Sequence, residues 1–600
     1  MSKITSSLKI QRLLKESSQL CQFGKLSEAK EIYQLLLKSI PNHPEVLANL
    51  GTIELQEGNT ELGITYLTRA LKSDTTDIKL IINLANAYIS INKFTEALEY
   101  LESAEKISPN LLNVLYNKAR ALRGLNKFDA AITNLNKCLS LDPENYLVLC
   151  DLGLLFTQKE NFEVAKDFYS KAIKINPENY LTYYNRGSNY EKLNEFQNAL
   201  EDYNTVTQKN AFFEPALLNK FRILLKQRIY NEALSQINYL INLDKKNMDY
   251  LSFRACLFLA TKEFDLAIKD YDHVSKISTN LSEADEAITN KAFIMLALKQ
   301  FREGWEFYES RYHIKDKIFS LKPKLIDFNV KNKKIFIWAE QGLGDQIIYS
   351  SLLYDAFKTQ NHFYISLDPR LIPLYERSFA NIDHVTFISM HEKIAESEYD
   401  FHLPIGSLGK FFRNSLEDFN SHPSAYLKAD KLQVNALRSK IKKNKKNICG
   451  IAWMSNNAEL GKEKSLSLNQ LVPILSTPNT IFLNLQYGET SKEIKNISDH
   501  YGIEIISIDE IDNFNDIDGL ASLIDACDYI VTSSNVTAHI AGALNKKTYL
   551  LIPYSEGKIW YWGESENKSL WYPSIGIYRC GINNLWSDPI QKITTELKDI

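Results

Sequence analysis

Small and large apolar residues alternate along the first half of the chain in a fixed 34-residue register. Small residues stand at Ala29, Gly63, Ala97, Ala131, Ala165, Ala199, Ala233 and Ala267, and Gly304 continues the series after a three-residue insertion near 276–286. Four residues after each comes a large one: Tyr33, Leu67, Leu101, Leu135, Tyr169, Tyr203, Ile237, Tyr271 and Tyr308. A second small position, twelve residues before the first, reads Ser17, Gly51, Ala85, Ala119, Gly153, Gly187, then Phe221, Ala255 and Ala292. Pro41, Pro109, Pro143 and Pro177 fall between units, where proline ends one helix and presets the next turn. Two helices approach closely where one offers a small side chain and the other inserts a large one. Neither helix buries its apolar face alone, so the pattern predicts a stacked array of helix pairs over residues 1–311.

The register resembles the tetratricopeptide repeat, in about nine copies. From the second unit on, two residues before each small position of the first helix stand Asn49, Asn83, Asn117, Asp151, Asn185, Asn219, Phe253 and Asn290. In this repeat family the first helix lines a concave groove, and an asparagine amide offers both a donor and an acceptor to an extended peptide. The row resembles the asparagine ladder of the O-linked N-acetylglucosamine transferases. That resemblance implies an acceptor-peptide groove at Asn49, Asn83, Asn117, Asn185, Asn219 and Asn290, interrupted at Asp151 and Phe253. Asparagine is also common at this position in the repeat family generally, which leaves a purely structural role open.

Beyond Arg311 the period is lost. After a connector over residues 312–332, short apolar runs alternate with helical patterns, which predicts parallel α/β structure. Strands are expected at Ile335–Trp338, Phe363–Leu367, His384–Ile388, Ile448–Trp453, Thr480–Leu485, Ile503–Ile508, Tyr529–Thr532 and Thr548–Ile552. The expected architecture is therefore an α-solenoid followed by two Rossmann-type domains, over 333–430 and 447–600, joined by a linker over 431–446. Lys440, Lys442, Lys443, Lys445 and Lys446 make that linker read as a solvated segment. A cleft between two such halves is the natural site.

Two motifs point into it. Gln341-Gly342-Leu343-Gly344-Asp345 follows the first strand, and its glycines let backbone approach a ligand. Spacing alone makes Asp345 either a helix cap or a general base on an acceptor hydroxyl. Asn535-Val536-Thr537-Ala538-His539 opens a helix after a strand, where free N–H groups suit a diphosphate. These residues, with Ile540-Ala541-Gly542-Ala543-Leu544, resemble the family 9, heptosyltransferase-like glycosyltransferases of GT-B fold. The resemblance extends to Phe301–Arg311, to Asn484–Gly488, and to Trp560–Gly563 with Leu570–Ser574. Repeat-fused bacterial proteins of this kind include flagellin glycosyltransferases.

The resemblance implies inverting transfer from a nucleotide-sugar with no metal and no resident cofactor. It makes Asp345 the base, and Gly342, Gly344, Lys464, Gln486, Asn535, Thr537 and His539 the donor-binding residues, with Lys462 the alternative to Lys464. The donor half implies a positive charge there because the leaving diphosphate gains charge in the transition state. The family carries an acid where Ser534 stands, which argues against heptose as the donor sugar and leaves an impaired site open. Asp516-Ile517-Asp518 has the form of a metal-binding DxD but precedes a helix, so it reads as a cap.

Composition narrows the choice. The net charge of −3 among 600 residues argues against a nucleic-acid footprint. Neither a signal peptide nor a membrane-spanning run is evident. Seven scattered cysteines without a zinc-like cluster fit a cytoplasmic location. The leading expectation is a glycosyltransferase acting on a protein hydroxyl, flagellin being one plausible acceptor. Transfer to a glycan or lipid-linked glycan, and a non-catalytic protein–protein adaptor, are the alternatives.

Overall fold

The structure, a computed structural model, describes residues 7–312, 320–420, 423–441, 446–457, 460–554 and 559–598. Its first half is helical, from Ser7–Gln22 to Phe301–Tyr308, with the helices packed as successive pairs. Every position of the small–large register is buried: Ala29, Ala97, Ala131, Ala165, Ala199, Ala233 and Ala267 are each 0% exposed. The reason is visible at the glycines. A Cβ on Gly51 would stand 2.7 Å from Leu67 Cγ, on Gly153 2.7 Å from Tyr169 Cε1, and on Gly187 2.8 Å from Tyr203 Cε1. Each inserted Leu or Tyr removes enough apolar surface from water to contribute about 1.5–3 kcal/mol.

A second register lies in the turns within each helix pair. One residue per turn has left-handed backbone: Gly24, Gly58, Asn92, Asn126, Glu160, Asn194, Arg228, Lys262 and Lys299. Glycine and asparagine adopt this region readily. Glutamate, arginine and lysine do not, and the last three positions are all basic.

The chain divides into two compact units, residues 1–227 and 228–600. The break therefore falls inside the repeat region rather than at its end near Arg311. In the second unit the cause is a shared core: Ala292, Leu296, Phe301, Trp305 and Tyr308 belong to the same apolar cluster as Ile335, Ile347, Leu403 and Trp571. The Trp305 indole N–H donates to the Arg413 carbonyl at 2.7 Å.

The α/β part of this unit holds two parallel sheets. The first contains β1 (Lys334–Trp338), β2 (His362–Leu367), β3 (Val385–Ser389) and β4 (Phe401–Pro404) in the order β3-β2-β1-β4. The second contains β5 (Asn447–Ala452), β6 (Thr480–Asn484), β7 (Ile505–Ile506), β8 (Tyr529–Ser533), β9 (Thr548–Ile552) and β10 (Ile575–Arg579) in the order β10-β9-β8-β5-β6-β7. All neighbouring strands run parallel. The eight expected strands are present, although the one expected over Ile503–Ile508 shrinks to two residues. β4 and β10 were not expected: one ends in proline, the other holds Gly576 and Arg579, and neither reads as an apolar run.

Two connecting segments differ from the sequence reading. Residues 431–441, expected as a solvated linker, form the helix Lys431–Ile441, which buries Val434, Leu437 and Ile441 against the helix Ile517–Ala526. Its charges are paired on the surface, Lys440 with Glu510 at 2.7 Å and Arg438 with Asp528 at 2.6 Å. Lys442, Lys443 and Lys445 lie outside the described residues. The connector after the repeats is anchored as well: Leu325 and Phe328 are buried, and Lys324 forms a β-bridge to His402.

Candidate functional site

In a parallel sheet, ligands bind beyond the carboxyl ends of strands where the strand order reverses. The first sheet reverses at β1 and β4. The loops leaving these strands carry Ala339–Gly342 and Ile405–Ser407. The second reverses at β5 and β8, whose loops carry Trp453–Asn457, Leu460–Ser465 and Ser534–Asn535. The two sets of loops meet. A Cβ on Gly344, after β1, would stand 2.8 Å from Cδ2 of His539, after β8. Gly344 therefore lacks a side chain because the two halves touch there.

Asp345 is the third residue of the helix Leu343–Ser350, and Gly342 holds the N-cap position. It is thus not the cap that spacing alone allowed. Its carboxylate turns back toward Gly342, with Oδ2 3.7 Å from where a Cβ there would stand. Burial pushes the Asp345 carboxyl up to about 6, the Lys464 ammonium pulls it down, and Glu340 pushes it up again. The carboxyl is then mostly ionised at neutral pH yet close enough to it to accept a proton.

Lys464 is only 5% exposed. Burial lowers its pKa and the field of Asp345 raises it in part, leaving it below the ordinary lysine value. A buried ammonium of this kind is costly unless an anion shares the site. Beside it the helix Val536–Ala543 begins with no side chain capping its first turn. The Asn535 amide is spent elsewhere, donating to the Met454 carbonyl at 3.1 Å and accepting from the Thr532 hydroxyl at 3.1 Å. Asn535 therefore laces β8 to the β5 loop across the switch point. The hydroxyls of Ser533 and Thr537 are buried without a hydrogen-bond partner among the described residues. An open helix start, two unsatisfied hydroxyls and a buried lysine make a site for an anion, and a diphosphate fits that chemistry.

Two expected donor-binding side chains are engaged within the protein. Gln486 is buried, and its Oε1 accepts from the backbone N–H groups of Trp453 at 2.8 Å and Met454 at 2.7 Å. Its amide N–H donates to the Tyr487 carbonyl at 3.2 Å. That side chain braces the β5 loop and has little left for a ligand. His539 is equally engaged, Nδ1 with the Tyr572 hydroxyl at 3.1 Å and Nε2 with the Tyr561 hydroxyl at 3.2 Å. Its ring stacks on Trp562 with centroids 5.2 Å apart. Burial pushes its pKa down to about 3, and the Lys464 charge adds to the effect, so His539 is a neutral strut and not a cationic phosphate ligand. Gly342 is exposed with φ −65, so it offers open backbone without needing glycine's conformational range.

Ser534 accepts from the Trp562 indole N–H at 2.9 Å. Asp516 caps the helix Ile517–Ala526 by accepting from Gly519 N–H at 2.8 Å, and Asp518 pairs with Arg377. Lys462 is exposed, whereas Lys464 is buried.

The asparagine row is not uniform. In the first unit the Asn49 and Asn219 amides donate to the Tyr33 and Tyr203 hydroxyls at 2.9 and 3.2 Å. Asn117 is buried and accepts from Arg120 at 3.2 Å. Asp151 accepts from Arg123 at 2.9 Å. Asn83 and Asn185 are half-buried, and their side chains make no hydrogen bond among the described residues. The same holds for Asn290 in the second unit.

Sequence reasoning missed the groups that hold the first motif. Arg311 accounts for most of them: it pairs with Glu340, which immediately precedes Gln341. Arg311 ends one segment that carries the resemblance and Glu340 adjoins another, but nothing in their spacing couples positions 29 residues apart.

The tetratricopeptide-repeat family model matches residues 78–111, 112–145, 147–179 and 180–208. This stretch is made of tetratricopeptide repeats. Protein FlbA of Caulobacter vibrioides is 27% identical over 342 residues, which is 52% of this chain and 54% of that protein. The chain thus matches about half the length of this relative. Among solved structures, PilF of Pseudomonas aeruginosa is 23% identical with a TM-score of 0.32, covering 35% of this chain and 96% of its own. YrrB, titled a TPR protein with an unusual peptide-binding site, is 16% identical with a TM-score of 0.27, covering 31% of this chain and 97% of its own. No helix among the described residues is long and apolar enough to cross a membrane.

Proposed function

We propose that the chain is an inverting glycosyltransferase of GT-B type, which moves a sugar from a nucleotide-sugar to a hydroxyl of a polypeptide held by the repeats. The observation that carries this reading is the meeting of two switch points, one presenting Asp345 and the other Lys464 with the open start of the Val536 helix. The diphosphate of the donor lies at the helix start, where Lys464, the Ser533 and Thr537 hydroxyls and free N–H groups receive its charge. The acceptor hydroxyl oxygen attacks the anomeric carbon as the bond to the diphosphate oxygen breaks. Asp345 takes the hydroxyl proton, and the leaving diphosphate keeps the bonding electrons. No metal is needed for charge balance, because Lys464 and the helix dipole supply the positive field.

In the repeats of the first unit, Asn83 and Asn185 carry the peptide contacts, while Asn49, Asn117 and Asn219 stabilise the array itself. A flagellin is one acceptor that fits a repeat-bound polypeptide presenting Ser or Thr hydroxyls. The test is a panel of nucleotide-sugars screened by thermal shift, with turnover on a polypeptide acceptor. One donor is expected to raise the melting temperature and support transfer, and Asp345→Asn to abolish transfer while donor binding survives. Stabilisation by no nucleotide would remove the enzyme reading and leave a protein-binding adaptor.

A further inference from the structure

The turn before Asp345 is held by the last helical repeat. The Arg311 guanidinium, 9% exposed, donates two parallel hydrogen bonds to Glu340, Nε to Oε2 at 3.0 Å and Nη2 to Oε1 at 2.6 Å. It also donates to the Tyr308 carbonyl at 2.8 Å and to the Ser407 hydroxyl at 3.1 Å, and lies 3.9 Å from the Tyr308 ring centroid. Glu340 further accepts from the Gly406 N–H at 3.1 Å, and a Cβ on Gly406 would collide with Glu340 Oε1 at 2.8 Å. The next residue is held from the same side, since the Gln341 amide donates to the Tyr308 hydroxyl at 3.0 Å.

The charges alternate along a chain of ion pairs. Lys324 pairs with Glu309, Glu309 with Arg311 at 3.1 Å, and Arg311 with Glu340 at 2.6 Å, so two cations match two carboxylates. Bidentate pairs of this sort fix direction as well as energy. Removing Arg311 would leave Glu340 uncompensated a few residues from Asp345. The groups whose fields reach Asp345 are Lys464 on the β5 loop, Glu340 on its own turn, Tyr308 on the last repeat, Tyr349 on its own helix, and Tyr561 and Tyr572 on the loops after β9. Lys464 and Glu340 are the charged members of that set.

We propose that Arg311, supplied by the last repeat, is a positioning residue for Asp345: it fixes the 340–345 turn and offsets part of the Glu340 charge that bears on the ionisation of Asp345. The inference rests on Asp345 as the base in its catalytic meaning, but its physical content is separable. The repeats then do more than bind a partner, because their last turn completes the catalytic loop.

The test follows Asp345 without any substrate. In each background the protein is compared with its Asp345→Asn version, and the difference in Tm is followed from pH 4 to 8. That difference changes above the unfolded pKa near 3.8 and levels off at the titration midpoint of Asp345 in the folded protein, near 6 in the wild type. Glu340→Gln keeps the shape of the turn and is expected to lower the midpoint by about half to one pH unit. Arg311→Met is expected to raise it by a similar amount, and Arg311→Met with Glu340→Gln to bring it between the two single-variant values. A merely structural Arg311 would lower Tm at every pH and leave the midpoint alone. Should Arg311→Met not fold, Glu340→Gln decides, and an unmoved midpoint in that variant overturns the proposal. Turnover surviving in Asp345→Asn would instead overturn the transferase reading, whatever these midpoints do.

Discussion

The Lys262 ammonium lies 4.2 Å from the centroid of the Tyr554 ring, although Lys262 itself sits in left-handed backbone at φ 63. The equivalent residues of the flanking turns reach the same half of the molecule, Arg228 to the Ile582 carbonyl and Lys299 to Glu566. In the first unit this turn position is glycine or asparagine in five of six cases, Gly24, Gly58, Asn92, Asn126 and Asn194. A left-handed lysine costs about 1 kcal/mol in the turn, and a cation–π contact contributes about 0.5–2 kcal/mol. The basic residues are thus tolerated where a partner is within reach.

That balance separates two substitutions at one site. Lys262→Ala keeps the turn strain and loses the contact, so it should destabilise by about 1–2 kcal/mol. Lys262→Gly loses the same contact but relieves the strain, and should fall within about 0.5 kcal/mol of wild type. Urea unfolding of both variants checks this. Equal losses would show that the left-handed turn carries no cost.

Gly344 and Gly342 stand two residues apart in one motif but answer to different constraints. A methyl at Gly344 would press on His539, which is pinned by two tyrosine hydroxyls and stacked on Trp562. Gly344→Ala should therefore destabilise by about 1–3 kcal/mol, as overpacking does. Gly342→Ala meets only the Asp345 carboxylate at 3.7 Å and should change the melting temperature little. A similar drop in both would mean that the halves do not bear on each other at Gly344.

The repeats were legible because one contact recurs. The small–large pairs follow from helix geometry alone, and Gly51 against Leu67 is repeated as Gly153 against Tyr169. The strands were legible where apolar runs were unbroken, and were missed at Phe401–Pro404 and Ile575–Arg579, whose side chains break such runs. The candidate site was legible only as motifs. Asp345 and Lys464 could be named from a resemblance, but the engagement of Gln486 and His539 depends on partners 22 to 33 residues away whose identity no spacing rule encodes. Residues such as Asn49 show the same limit from the other side. Its amide reads as free in a ladder, yet the Tyr33 hydroxyl of the preceding helix takes it.

Asp345 should make the protein less stable as pH rises. Its folded pKa of about 6 lies above the unfolded value near 3.8, so between these values the folded state binds the extra proton. Stability contributed by the protonated carboxyl is complete below about pH 3.8 and is lost as pH rises through 6. Asp345→Asn should therefore gain on wild type from pH 4 to 6.5 and hold a constant advantage above. The shift corresponds to at most about 3 kcal/mol, reduced by the carboxyl's partial exposure. Differential scanning calorimetry at several pH values checks it, and an advantage that shrinks with rising pH would reverse the assignment.

His539 acts in the opposite sense over the same range. Its folded pKa of about 3 lies below the ordinary 6.5, so the unfolded chain binds the proton first as pH falls. The stability it contributes is complete above pH 6.5 and is lost as pH falls toward 3. His539→Phe should be less stable at pH 7.5 by about 1–3 kcal/mol, because the Tyr561 and Tyr572 hydroxyls lose a buried partner. Phenylalanine has no proton to gain, so the gap should narrow steadily from pH 6.5 to 4. Asp345→Asn changes over the same pH range with the other sign, and the two single variants separate the contributions. A gap that stays constant from pH 7.5 to 4 would mean that His539 is not held neutral, and the cation would then be available to a bound diphosphate after all.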